Sequence, residues 1–465
     1  MCRENRGGEA ESHLCNRRVV PPTDRLTASS PLDQFTTMNT KVIMTMGLAA
    51  LMATPVMAEE SSLLKDINQF GCEYGDETAP VPGDALTKSL ARAHELACEK
   101  LGLEWIIETS YLYTAINHPV AGAPDNQNWY LLHAQANLEL IPSIGTWLRA
   151  ELSLSTALDG RTWRGHAEAD ERGALNEALG FSGGANTDVF NRHTCALPEL
   201  ALMQYFASGK ACLIAGVVNQ TNYFDANAYA NSSFSNFTNA AFVNSQALPL
   251  ADSNFGAVVQ AQMSPHFYGM ASFSLMESSV GYSPFFNAEG RNYNVVGEVD
   301  YVYDGGTIRL TPFLAQGYDA GDDQTPGKNR RFGGVNFGFD QDVCEHLSCF
   351  GRVGWSSSDD LNACGASFAA SAGLVIKTPL QLCFGLKESE NNFLGLAFSI
   401  ARPDEGTLDE DRSPAKRELA FEVGYSYAVT PYCALRPNYQ FVKYPAGRSD
   451  VNSASAFGMQ VVLTF

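Results

Sequence analysis

A period of two, starting near residue 104 and running to the C-terminus, constrains this chain more than any other feature. Within 417–427, Leu419, Phe421, Val423, Tyr425 and Tyr427 alternate with Glu418, Ala420, Glu422, Gly424 and Ser426. Within 455–465, Phe457, Met459, Val461, Leu463 and Phe465 share one side, and Gly458, Gln460 and Thr464 lie opposite, with Val462 among them. Successive strand side chains point to opposite faces, so each segment has one apolar and one mixed face. Strict alternation over about ten residues is the length that carries a tilted strand across a bilayer. Soluble sandwiches use shorter strands. The apolar faces also end in Tyr, Trp and Phe, which suits aromatic girdles at membrane surfaces.

The pattern predicts strands starting near 104, 128, 146, 197, 210, 254, 267, 293, 307, 331, 347, 366, 392, 417, 433 and 455. Sixteen is an even count, as a closed bacterial barrel requires. Short turns such as Ala207–Lys210, Ser264–His266, Asp304–Gly306 and Thr430–Tyr432 alternate with longer loops at 157–196, 220–253, 277–292, 317–330, 401–416 and 442–454. Residues 378–391 are read as a long turn, since another strand would make the count odd. The expected fold is all-β: a transmembrane antiparallel β-barrel of sixteen strands with a short N-terminal periplasmic helical arm.

Composition agrees. Charged residues are 18% and the formal net charge is −20. That balance excludes a nucleic-acid binder, which needs basic surface to neutralise phosphates. Mean hydropathy is −0.13, too polar for a bundle of membrane helices but compatible with strands that meet lipid at every second residue.

The N-terminus reads as an address. In 38–58, Lys41 precedes the short apolar run Val42–Met52, and Val56-Met57-Ala58 offers small residues for cleavage. Residues 1–37 are expected to be an upstream segment preceding a true translation start at Met38, and 38–58 a signal peptide. Residues 59–103 are expected to form the periplasmic arm, and 104–465 the barrel. Helical spacing places a helix at 85–101, with Leu90, Ala93, Ala97 and Leu101 on one face. Of the 11 cysteines, Cys2 and Cys15 precede the signal and the rest are scattered. Cys72 and Cys98 flank the helix and are candidates for a bridge in an exported protein.

The polar side of each strand should face a water-filled interior. By parity this side carries Glu108, Gln135, Asn137, Glu139, Arg149, Glu151 and Glu199 in the first strands, and Glu298, Asp300, Arg309 and Arg352 in the middle. Glu422, Arg436, Asn438 and Gln440 continue it near the end. Facing arginines and carboxylates make a transverse field across a pore. The loop after strand five interleaves Asn with Tyr and Phe, and Asp225 is its one charge over 220–245. Amides can bond sugar hydroxyls while aromatic faces cover C–H groups. The loop is therefore expected to fold into the barrel as a constriction, with Tyr223, Phe224, Asp225, Asn227 and Tyr229 towards the solute. The alternative is a lid packed on the rim.

Several segments resemble carbohydrate-selective porins of the OprB type. They are Leu197–Leu200, Phe224–Asn227, Tyr229–Asn231, Phe242–Ser245, Leu248–Leu250, Asn254–Ala257, Leu435–Gln440 and Tyr444–Gly447. They occur in the family's order, and the resemblance covers roughly 104–465. It implies an outer-membrane barrel admitting sugars by passive diffusion, with arginines and carboxylates at the eyelet. It leaves a homo-oligomer open. The expected partners are sugars and outer-membrane lipids, with no nucleic acid, cofactor or metal.

Rival readings have less behind them. Gly180–Gly184 fits G-x-S-x-G, but that motif matters only on a strand-to-helix elbow. The 8 histidines show no H-x-x-x-H pair, and Asp319–Asp323 lacks EF-hand order. A general or weakly cation-selective porin without sugar specificity stays open, as does a closed adhesive barrel.

Overall fold

The computed structural model describes residues 64, 68–70, 83, 85–118, 126–158, 179, 186, 194–277, 291–321, 326–357, 366–386, 388–389, 391–403, 416–449 and 451–465. The segments expected at 1–37 and 38–58, the Gly180–Gly184 motif and Cys72 lie outside these residues. Cys98 is disulfide-bonded.

A helix, α1 (Ala85–Leu101), leads into the barrel with the expected bounds. Its buried side differs from the expected one. His94 is its buried residue, whereas Leu90, Ala93 and Leu101 are exposed. The His94 ring packs edge-on against Trp105, 4.9 Å between centroids, and its Nε2 accepts from the Trp105 N–H. One specific contact with the first strand orients the helix, not its short apolar stripe.

Among the described residues sixteen antiparallel strands follow. The first half is β1 (Leu103–Asn117), β2 (Asn126–Ile141), β3 (Thr146–Ala157), β4 (Thr194–Phe206), β5 (Ala211–Val218), β6 (Asn254–Gln262), β7 (Phe267–Leu275) and β8 (Tyr293–Tyr303). The second is β9 (Gly306–Gly321), β10 (Pro326–Cys344), β11 (Leu347–Ser356), β12 (Ala366–Lys377), β13 (Phe393–Pro403), β14 (Glu418–Thr430), β15 (Cys433–Lys443) and β16 (Ser453–Thr464). Each pairs with its sequence neighbour, and β1 pairs with β16 to close the barrel. Beyond β16, Phe465 exchanges both backbone hydrogen bonds with Ile107, so closure leaves no edge along this seam.

One connection differs from expectation, and one expected turn carries a short helix. The loop expected at 317–330 is largely strand, because β9 and β10 stay paired out to Gly321 and Pro326. The Gly- and Asp-rich composition there hides the alternation. The turn at 378–391 holds a one-and-a-half-turn helix, α2 (Pro379–Phe384), and adds no strand.

Burial is inverted relative to a soluble protein. Leu202, Leu310, Leu314, Val353, Trp355, Phe398 and Phe457 are exposed, while Glu199, Asn294, Arg352, Glu422 and Gln460 are buried. An apolar outer face and a polar inner face are what a membrane-spanning barrel needs. Among the described residues no helix is long and apolar enough to cross a membrane; the strands make the crossing.

Candidate functional site

The connection from β5 to β6 does not sit on the rim. It enters the lumen, crosses it and returns, and nearly every predicted site residue is part of its attachment.

The crossing starts on β3 and β4. Arg149 pairs with Glu199 at 2.9 Å. The Asn222 amide donates to Glu151 at 2.6 Å and to Glu199 at 2.8 Å, and the Tyr223 hydroxyl donates to Glu199. Asn219 also donates to Glu151 and caps the first loop turn by accepting from the Thr221 N–H. Gln220 ties the two ends of the loop together. Its backbone N–H donates to Ala251 O, and its side-chain oxygen accepts from the Ala251 N–H and from Asn294.

The middle is held by β8, β10 and β11. Asp225 sits at φ 58°, a left-handed conformation in which its carboxylate turns back along the loop. Oδ1 accepts from Arg352 at 2.9 Å and Asn336 at 3.1 Å, and Oδ2 from the Ser245 N–H at 2.7 Å. The Asp225 N–H donates to Glu298, which also accepts from Thr311. Arg352 spends its remaining donors on loop carbonyls at Asp225, Ala230, Phe242 and Val243. One guanidinium thus ties the outgoing and returning arms together, a use that suits its fixed fork of donors. Asn227 donates to Phe339 O, and Tyr229 donates to Asp342.

The far end lies on β14 and β15, and β14 stands eight strands round the ring of sixteen from β6, to which the loop returns. Glu422 accepts from the Thr238 N–H, the Thr238 hydroxyl and the Asn239 N–H, each at 2.9 Å. Gln440 exchanges bonds with Asn239 and Thr238. Arg436 donates to the carbonyls of Ser233 and Asn236. Asn239 then caps a single helical turn (Ala240–Val243) by accepting from the Ala241 N–H.

The wall is shaped to receive the loop. A Cβ at Gly354 would stand 2.5 Å from Ser245 Oγ, and one at Gly395 would stand 2.9 Å from the Phe237 ring. Phe237 packs with Phe242 and Phe350, at 5.6 and 5.5 Å between centroids. Phe224 and Tyr223 are buried in a second cluster with Met203, Ile214 and Val258. The aromatic side chains of Tyr223, Phe224, Phe234 and Phe237 are all buried, so they fasten the loop to the wall. Asp225 and Asn227 are buried as well, with the Asp225 carboxylate consumed by the loop and wall.

The predicted arginines Arg309, Arg352 and Arg436 face inwards, each with a carboxylate near it. Arg309 pairs with Asp340, with Asp300 and Glu298 close enough to act on it electrostatically. Arg436 meets loop carbonyls, with Glu422 acting at longer range. Sequence reading passed over Asp340, Asp342, Lys377 and His133. The first two share the inward parity of Asn336, and His133 that of Gln135, so the same counting could have found them. His133 lies between Glu108 at 3.5 Å and Glu151 at 3.1 Å.

A second segment also enters the barrel. Leu64 is buried among Trp147, Met203, Tyr205, Cys212 and Ile214. Asn68 donates to Gln260 and accepts at its carbonyl from Asn137 and Arg149. The Phe70 N–H donates to Glu104, and Arg149 lies over the Phe70 ring at 5.3 Å. These partners cluster near the end that carries the short turns.

A closed membrane-spanning barrel whose lumen is crossed by an inward-folded loop has the architecture of a porin. The chain belongs to the carbohydrate-selective porin, OprB family, whose model matches residues 148–465. It is 24% identical over 305 residues to porin AaxA of Chlamydia felis (strain Fe/C-56), covering 64% of this chain and 63% of that protein. The chain therefore aligns with a little under two thirds of that relative's length. The high-pH structure of Pseudomonas putida OprB superposes with a TM-score of 0.62 at 16% identity, covering 86% of this chain and 100% of that one.

Proposed function

We propose that this chain is an outer-membrane porin through which carbohydrates diffuse passively, with the 219–253 loop as its constriction. One observation carries the reading: the loop is fastened to β3 and β4 through Asn222 and, half-way round the ring of sixteen strands, to β11 through Asp225 and Arg352. A segment bonded to opposite walls divides the cross-section, so a solute must pass beside it. Polar walls and a loop rich in amides favour uncharged hydroxylated solutes over apolar ones. Residues 38–58 act as the export signal, and the mature chain begins at Glu59.

The test is conductance of the purified protein in planar bilayers, with and without neutral sugars. Discrete channels whose current falls in millimolar sugar are expected, since weak binding of about 4 kcal/mol lets a solute enter and leave. Channels indifferent to every sugar would favour a general porin, and no channels at all would favour a closed barrel. N-terminal sequencing of the outer-membrane form should read from Glu59.

A further inference from the structure

Among the described residues, the Arg and Lys pairs inside this barrel fall into two kinds. Arg149–Glu199, Arg309–Asp340 and Arg352–Asp225 have side chains no more than 10% exposed. Lys377–Asp342 is different, with side chains 31% and 40% exposed. Both residues are on the inner wall. Val343, on the opposite parity of β10, is exposed on the outer face, and Val375, on the parity of Lys377, is buried inside. Their third partner, Tyr229, comes from the loop that crosses the lumen.

The hydrogen bonding at this pair is lopsided. Lys377 Nζ, Ser348 Oγ and the Tyr229 hydroxyl all donate to Asp342 Oδ1, the first two at 2.8 and 2.6 Å. Among the described residues no donor reaches Oδ2. Lys377 further reaches the Tyr229 oxygen at 3.5 Å and lies 5.3 Å from its ring centroid. An ammonium has three protons, so one stays uncommitted. A carboxylate oxygen and an ammonium proton, held side by side, match two adjacent hydroxyls: one donates to the oxygen and the other accepts from the nitrogen. The Tyr229 ring beside them offers an apolar flank to C–H groups.

We propose that Asp342, Lys377 and Tyr229 form a solute-binding site for vicinal diols of neutral sugars in the lumen. This rests on the sugar-porin reading and assigns its selective contacts to this triad, leaving the buried arginines as fasteners of the loop. Neither Asp342 nor Lys377 bonds the loop except through Tyr229, so both can be changed with the crossing intact.

The experiment compares wild type, Lys377→Met, Asp342→Asn and Tyr229→Phe in planar bilayers, with D-glucose and maltotriose as blockers. A polyethylene glycol of similar size, which has no vicinal diol, is the control. Each variant is first checked for heat-modifiable migration. Loss of a hydrogen bond to a charged group should weaken sugar block about tenfold or more in Lys377→Met and Asp342→Asn, with little change for the glycol. Reversal potentials in a salt gradient should move towards cations for Lys377→Met and towards anions for Asp342→Asn. Tyr229→Phe keeps the ring and should lose less block than either. If wild type is blocked and the folded Lys377→Met and Asp342→Asn variants are blocked equally, the site is wrong while the sugar reading stands. If wild type is indifferent to both sugars, the sugar reading itself fails.

Discussion

Two pieces of the chain enter this barrel, and they are held there by different physics. The 219–253 loop is fixed by buried charge. Arg352 with Asp225, and Glu422 with two backbone N–H groups, commit ionised groups to loop atoms and leave none of the loop's ends loose. Residue 64 and residues 68–70 are held by one apolar side chain, Leu64, and by the amide and carbonyl of Asn68. Among the described residues their ionised partners are Arg149 and Glu104, both shared with the wall. A buried ion that loses its partner is left with an uncompensated desolvation cost, whereas an apolar contact can be given up gradually. The loop is accordingly built into the lumen by charge, and Leu64 and Asn68–Phe70 line its short-turn end mainly through apolar and amide contacts.

Breaking the charged attachment should have the largest effect. Asp225→Ala leaves the Arg352 guanidinium buried without its counter-ion, and a loss of about 3–5 kcal/mol is expected. It reads out as a lower temperature for the heat-modifiable transition and as noisy, larger conductance. An unchanged transition would mean that the loop carbonyls alone satisfy Arg352. Leu64→Ala should cost about 2 kcal/mol through the cavity left among Trp147, Met203 and Ile214. Deleting residues 59–70 should raise conductance with the barrel still heat-modifiable, and equal conductance would place that segment clear of the ion path. Glu422→Gln keeps one acceptor and removes charge from three donors, so about 1–2 kcal/mol is expected, seen as extra current noise from the loop's far end. Lys377→Met should change stability least, by about 1 kcal/mol or less, because its pair is partly exposed and screened.

Strand positions were legible because lipid and lumen impose opposite demands on alternate residues. Expected starts at 146, 254, 267, 293, 347, 366 and 433 coincide with β3, β6, β7, β8, β11, β12 and β15. The start of β10 was misplaced from Pro326 to 331 because the hairpin end with β9 extends through Gly, Lys and Asn, whose alternation carries no hydropathy signal. The inward list was legible by the same parity, but the partners were not. Arg352 and Asp225 are 127 residues apart, and Asn239 and Gln440 are 201 apart. No local pattern encodes such a meeting.

The composition of the loop pointed inwards without saying what each side chain would do there. Phe224, Phe237 and Phe242 are suited by chemistry to a sugar face and equally to a wall. Small wall residues such as Gly395 and Gly354 decided for the wall by making room for the loop. In this protein the sequence by itself determined the strand count and the inward and outward faces, since each follows from solvent-driven alternation, while it left the loop open between a constriction and a lid. Only the tertiary structure decided which charges are spent on fastening and which remain open to a solute. That division depends on how many donors converge on each carboxylate once sixteen strands and one returning loop share a single lumen.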